Sequence, residues 1–149
     1  MKKLNETYRI VLTDDDHDDC EIFKSAIESV TNKITLDIFH RGADLLEYLG
    51  NAEEYPHLIF LDLNMPVMHG FEVLEAIRRD PRHANLSIAI YSTSRYNKDV
   101  EEALAKGANI YLPKPNDYTE LQQVLTKVLE MNWAHHTHKL NKGNFCFTL

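Results

Sequence analysis

Leu58-Ile59-Phe60-Leu61-Asp62-Leu63-Asn64-Met65-Pro66 decides how this chain is read, because four large apolar residues in succession end abruptly at a carboxylate. An apolar run without alternation suits a strand covered on both faces, as in the middle of a parallel sheet with helices above and below. Asp62 then stands at the C-terminal end of that strand, and Pro66 and Gly70 mark the loop beyond it. Open α/β sheets bind their ligands outside the carboxyl ends of the strands, so the carboxylate lies where chemistry is expected. Taken alone, an acid in such a place is more often a helix cap or a loop residue.

Composition narrows the class. A chain of 149 residues, 44% of them hydrophobic and with only 5 Gly and 5 Pro, fits one domain with a proper core. The net charge of −7, without a basic stripe, argues against a general nucleic-acid surface, because phosphate backbones call for clustered Lys and Arg. Cys20 and Cys146 are isolated, without the spacing of a zinc site or a disulfide framework, and read as reduced thiols. No stretch is long and apolar enough to span a bilayer, and the N-terminal Met1-Lys2-Lys3-Leu4-Asn5-Glu6 does not read as a secretion signal. A cytoplasmic protein without a membrane partner is expected.

Outward from the central strand, the same pattern repeats. Ile10, Val11 and Leu12 form a first apolar run that halts at Asp14-Asp15-Asp16, and Ile22, Phe23, Ala26, Ile27 and Val30 follow at helical spacing. Ile34, Leu36, Ile38 and Phe39 suggest a second strand, and Leu45, Leu46 and Leu49 a short helix ending at Gly50. Beyond the central strand, Phe71, Leu74 and Ile77 mark a third helix that stops before Pro81. Leu86, Ile88, Ile90 and Tyr91 give a fourth strand ending at Ser92-Thr93-Ser94, and Val100, Ala103 and Leu104 a helix closed near Gly107. Ile110 to Leu112 form a short fifth strand ending at Pro113-Lys114-Pro115, followed by a helix carrying Leu121, Val124, Leu125, Val128 and Leu129.

Strands alternating with helices imply a doubly wound parallel sheet with right-handed crossovers. At this length the flavodoxin-like order 2-1-3-4-5, with five flanking helices, is the expected arrangement. In that order, strands one, three, four and five adjoin, and their C-terminal ends carry Asp14-Asp15, Asp62, Ser92 and Lys114. Each element is ordinary by itself; their coincidence on one edge indicates a site.

Carboxylates gathered in a small pocket repel one another unless a cation neutralises them, and hard oxygen ligands suit Mg²⁺. A carboxylate can also attack a phosphoryl group to give an acyl phosphate, a transfer that depends on positioning and charge neutralisation. Asp62 would be the nucleophile, with Mg²⁺, the Lys114 ammonium and the Ser92 hydroxyl each meeting a phosphoryl oxygen.

At this point the chain resembles the receiver domains of two-component response regulators, over roughly residues 7 to 131. Leu12-Thr13-Asp14-Asp15-Asp16 is similar to the family's first-strand acidic pair, and Phe60-Leu61-Asp62-Leu63-Asn64-Met65-Pro66 to its phosphoacceptor motif. Ile90-Tyr91-Ser92-Thr93-Ser94 is similar to its fourth-strand hydroxyl motif, and Gly107-Ala108-Asn109-Ile110-Tyr111-Leu112-Pro113-Lys114-Pro115 to its lysine motif. The resemblance implies Asp62 as phosphorylation site, Asp15 as direct Mg²⁺ ligand, Asp14 as ligand through water, and the Asn64 backbone carbonyl as a further ligand. It also implies Ser92 as switch hydroxyl, Tyr111 as an aromatic that turns inward on phosphorylation, and a cis Lys114-Pro115 bond. The expected partners are a sensor histidine kinase or histidine phosphotransfer protein as donor, and a downstream protein, or a second copy of the chain, met by the surface of helix four, strand five and helix five. Such a module is a signalling domain and not a conventional enzyme, although phosphotransfer and its own dephosphorylation are intrinsic to it.

The departures are few. His69 stands where the family often has an acid, and Ser92 replaces the commoner Thr. Asn64 and Ser94 occupy positions that in the family tune the lifetime of the phosphoryl group, and Asp16 reads as the cap of helix one. The remaining stretch, 132–149, is expected to be an extension without an output domain; it carries His135, His136 and His138, read as solvated, and alternating Phe145, Phe147 and Leu149, read as a terminus or a docking strand. Two other readings compete: a module that acts by binding alone, and a phosphatase of the haloacid-dehalogenase type. The latter needs a second acid two residues after its nucleophile, where this chain has Asn64.

Overall fold

The computed structural model describes residues 7–131; the 132–149 extension, with its histidines and its alternating Phe145, Phe147 and Leu149, lies outside the described residues. The elements run β1 (Tyr8–Thr13), α1 (His17–Val30), β2 (Ile34–Phe39), α2 (Gly42–Asn51), β3 (Leu58–Leu61), α3 (Gly70–Arg79), β4 (Ile88–Ser92), α4 (Asn97–Ala105), β5 (Ile110–Pro113) and α5 (Tyr118–Glu130). All pairings are parallel, in the order β2-β1-β3-β4-β5, as the alternation of apolar runs and helical spacings predicts. A short 3₁₀ turn, Pro81–His83, stands between α3 and β4; the sequence reading has only a helix stop there. Asp80 caps it by accepting the Arg82 N–H at 2.9 Å.

The apolar strands are continuous because both faces of the sheet are covered. Val11, Ile59, Leu61, Ile88, Ile90 and Tyr111 point to one face and meet α2, α3 and α4 through Leu45, Leu49, Leu74, Ile77 and Val100. Their neighbours Ile10, Leu12, Leu58, Phe60, Ala89, Tyr91 and Leu112 point to the other, where Phe23, Ile27, Leu121, Val124 and Leu125 of α1 and α5 cover them. The period-2 alternation of strand side chains is thus present, but apolar on both sides.

One half-buried cation ties together the N-terminal edge of the sheet. Arg78, in the last turn of α3, donates to the Gly107 carbonyl at 3.0 Å, to the His83 carbonyl at 3.1 Å and to Asn109 Oδ1 at 3.0 Å. Asn109 Oδ1 also accepts the Ile88 N–H at 2.8 Å, so the starts of β4 and β5 hang from the same side chains. Gly107 is in the left-handed region, φ 101°, and a Cβ there would press on the Arg78 side chain at 3.1 Å, so the close approach as well as the turn calls for glycine. No helix of the described residues is long and apolar enough to cross a membrane.

Candidate functional site at the C-terminal edge of the sheet

Backbone register brings the predicted residues together. Thr13 pairs with Leu61 and Leu61 with Ile90, so β1, β3 and β4 end at nearly the same level. The Asp62 N–H donates to the Thr13 carbonyl at 3.0 Å and the Asp14 N–H to the Phe39 carbonyl at 3.0 Å. Each acid therefore projects from the first backbone unit beyond its strand. Ser92 pairs with Pro113, and the next residue, Lys114, donates its N–H to the Ser92 carbonyl at 2.7 Å.

Asp14 and Asp62 are buried and Asp15 is half-buried; among the described residues, one carboxylate oxygen from each lies within 4.8 Å of the others. Asp14 is held in place on both sides. One of its oxygens accepts the Asp16 N–H at 3.0 Å and the other accepts from Lys114 Nζ at 2.8 Å. Its carbonyl is approached by His40 Nδ1 at 3.1 Å and by the Cys20 thiol at 3.4 Å. His17 stacks on His40 with ring centres 3.8 Å apart. Burial first, then the charge of Asp14, pushes the Cys20 thiol up to about 12, so this cysteine is a buried donor and not a thiolate.

Asp62 bears the cost of this crowding. Burial raises its pKa from 3.8 to about 6, Lys114 pulls it down, Asp14 and Asp15 push it up, and the Leu63 N–H stabilises the anion. Lys114 Nζ lies 3.8 Å from Asp62 Oδ1, beyond hydrogen-bond distance, and its two short contacts are to Asp14 and, at 2.9 Å, to Asp19. Burial disfavours the ammonium, but its hydrogen bonds to Asp14 and Asp19 and the charge of Asp62 outweigh that and hold its pKa above the ordinary lysine range. The face of Tyr91, 5.3 Å from Nζ, completes its surroundings.

The loop after Asp62 is shaped by two unusual backbone positions. A Cβ on Gly70 would stand 2.2 Å from the Asp62 carbonyl oxygen and 2.7 Å from Leu63 Cα, so only glycine lets α3 begin against the end of β3. His69 caps that helix: its Nδ1 accepts the Phe71 N–H at 3.1 Å while the Glu72 carboxylate accepts the His69 N–H at 2.9 Å. The imidazole thus fills the role an acid would have at this position. Val67, fully exposed, has φ 68°, an unfavourable place for a β-branched residue. Asn64 is exposed in the same loop.

On the β4 side, Ser92 is buried and its Oγ accepts the Ser94 N–H at 3.2 Å. The Ser94 carbonyl accepts from the Tyr111 hydroxyl at 2.8 Å, and its own hydroxyl donates to Asp99 in the first turn of α4. Tyr111 is fully buried: its ring packs in the core beside α4 and its hydroxyl donates to the Ser94 carbonyl. One expectation is corrected here. The Lys114–Pro115 bond is trans, as are all described peptide bonds; for X–Pro the two isomers differ little in energy, and here the trans form prevails.

Asp16 caps α1 as expected, accepting the Asp19 N–H at 3.0 Å. The contact that sequence reasoning missed is the one from Asp19 to Lys114. Its signal was present: Asp19 precedes Phe23 by four residues and Ala26 by seven, so it lies on the core-facing stripe of α1, where a carboxylate needs a partner.

The donor set fits a hard divalent cation: three carboxylates at one edge, one of them with its pKa raised by burial, and a single ammonium, too little charge to balance them. The comparisons agree with this geometry. Residues 10–126 match the model of the response regulator receiver domain. Response regulator Rcp1 of Synechocystis is 29% identical over 75% of this chain and 80% of its own length. The probable methanogenesis regulatory protein FilR2 of Methanothrix harundinacea is 26% identical over 84% of this chain and 83% of its own. Among solved structures, the phosphorylated cyanobacterial phytochrome response regulator RcpA superposes with a TM-score of 0.76 at 28% identity, covering 83% of this chain and 92% of that one.

Proposed function

Because this chain belongs to the response regulator receiver domain family, we propose that it accepts a phosphoryl group on Asp62 from a phosphohistidine donor, a sensor histidine kinase or a phosphotransfer protein. An Asp62 carboxylate oxygen attacks phosphorus, the P–N bond breaks with its electron pair returning to the donor imidazole, and an acyl phosphate remains on the chain. The observation that supports this best is the convergence of four strand ends, which brings Asp14, Asp15, Asp62, Ser92 and Lys114 together at one edge.

Asp14, Asp15, Asp62 and the Asn64 carbonyl would hold Mg²⁺, which when bound offsets the carboxylate charge and engages phosphoryl oxygens. Lys114 supplies the remaining positive charge, from the end of β5. The Ser92 hydroxyl, freed from the Ser94 N–H, donates to a third oxygen of the acyl phosphate. That exchange moves Ser94, whose carbonyl holds the Tyr111 hydroxyl and whose hydroxyl holds Asp99 at the start of α4, and the α4–β5–α5 surface then presents a changed face to a downstream protein.

Mass spectrometry after treatment with acetyl phosphate and Mg²⁺, beside an Asp62→Asn variant, tests the reading. One phosphoryl adduct is expected, dependent on Mg²⁺, labile in base and absent from the variant. An adduct that survives in Asp62→Asn, or none on the folded wild-type chain with Mg²⁺ bound, would refute it.

A further inference from the structure

The geometry points to a role for Asp19 that phosphoacceptor chemistry alone does not require: we infer that Asp19 is a positioning residue, which fixes the Lys114 ammonium for phosphoryl transfer to Asp62. The inference rests on the receiver reading above. An ammonium has three donors. Two are taken in this structure, by Asp14 Oδ2 at 2.8 Å and Asp19 Oδ2 at 2.9 Å, and the third is left for an oxygen on or attached to Asp62, whose own Oδ1 is 3.8 Å away.

The two anchors come from different elements. Asp14 follows β1, and Asp19 lies in the first turn of α1, so the lysine is braced from two directions as its flexible stem passes the ring of Tyr91. Asp19 is not occupied elsewhere: the N-cap of α1 is Asp16, and Asp19 contributes only its N–H to that cap. With Asp14 as sole partner, the ammonium would rotate about one contact, and transfer depends on how well the charge is placed.

This role predicts a result opposite to a simple charge effect. Asp19 adds a negative charge beside a site that must admit an anionic donor, so if it acted only through its field, removing it would speed phosphorylation. If it positions Lys114, Asp19→Ala slows the reaction about tenfold, whereas Asp19→Asn, which keeps an acceptor oxygen at the same reach, stays within about twofold of wild type.

The experiment measures the rate of Mg²⁺-dependent adduct formation from acetyl phosphate in wild type, Asp19→Ala, Asp19→Asn, Lys114→Ala and the Asp19→Ala/Lys114→Ala pair, with circular dichroism on each. The expected pattern is loss in Asp19→Ala, rescue in Asp19→Asn, and no further loss from Asp19→Ala once Lys114 is gone. Should Asp19→Ala not fold, Asp19→Ser, too short to reach Lys114, takes its place with the same expectation. An Asp19→Ala rate equal to or above wild type, or a full Asp19→Ala effect in the Lys114→Ala background, overturns the inference while leaving Asp62 as acceptor. Absence of an adduct on the wild-type chain overturns the receiver reading and this inference with it.

Discussion

Asp62→Asn should make the metal-free protein more stable at neutral pH. Burial among Asp14 and Asp15, only partly offset by Lys114, raises the Asp62 pKa from 3.8 to about 6, so the folded chain holds this proton more tightly than the unfolded one. The favourable contribution is therefore complete below about pH 4, is lost as pH rises towards 6, and beyond that remains as a constant deficit. Going from 3.8 to about 6, at about 1.4 kcal/mol for each tenfold change in proton affinity, bounds the deficit at about 3 kcal/mol. Asparagine, neutral and of the same shape, stands in for the protonated acid, and about 1–3 kcal/mol of stabilisation is expected at pH 8, falling towards zero at pH 4. Urea unfolding of wild type and variant in chelator at pH 4, 6 and 8 reads this, since the titration of groups remote from Asp62 cancels in the difference. Millimolar Mg²⁺ should narrow the gap by stabilising the wild type more. A variant less stable at pH 8, or a difference that does not change with pH, would refute the electrostatic account of the site.

Arg78→Ala should cost about 2–4 kcal/mol in urea unfolding, because it leaves the Gly107 and His83 carbonyls and half of the Asn109 bonding without a donor. Gly70→Ala should be destabilising by at least about 2 kcal/mol and should weaken Mg²⁺ binding measured by calorimetry, since its Cβ meets the Asp62 and Leu63 backbone and not a side chain that can move aside. Val67→Asn should stabilise the chain by about 1 kcal/mol in thermal unfolding, because asparagine accepts φ 68° where a β-branched side chain does not and the valine side chain is fully exposed.

The inner strands were legible because burial on both faces leaves no polar interruption, the edge strand β2 because Ile34, Leu36 and Ile38 alternate with exposed Thr35 and Asp37, and the strand-end residues Asp14, Asp62, Ser92 and Lys114 followed from where each run stops. The parallel sheet followed from the alternation, and its order from the alternation together with a length that suits the flavodoxin-like arrangement. Less legible was whatever depends on a side chain reaching out of its own element. Asp19 reads as one more acid in a helix's first turn until Lys114 arrives from β5 beside it. Arg78 reads as a basic residue suited to a helix C-terminus, yet it is half-buried and bonded to backbone carbonyls from two later segments, His83-Ala84 and Gly107. For Tyr111 a strand position fixes which face the ring takes, whereas the partner of its hydroxyl, one carbonyl of the β4–α4 loop, comes from outside its own element.

That carbonyl belongs to Ser94, whose three polar groups are all engaged: the N–H with Ser92, the carbonyl with Tyr111, the hydroxyl with Asp99. The residue acts as a rigid three-way joint, and a joint of this kind passes on a signal without dividing it. A withdrawal of the Ser92 hydroxyl would reach the ring through the Ser94 carbonyl and the helix through the Ser94 hydroxyl, both from this one residue. Substitutions at Ser94 would then trade the crispness of the response against its ease of triggering, whereas those at Tyr111 or Asp99 would silence one branch and leave the other in tune.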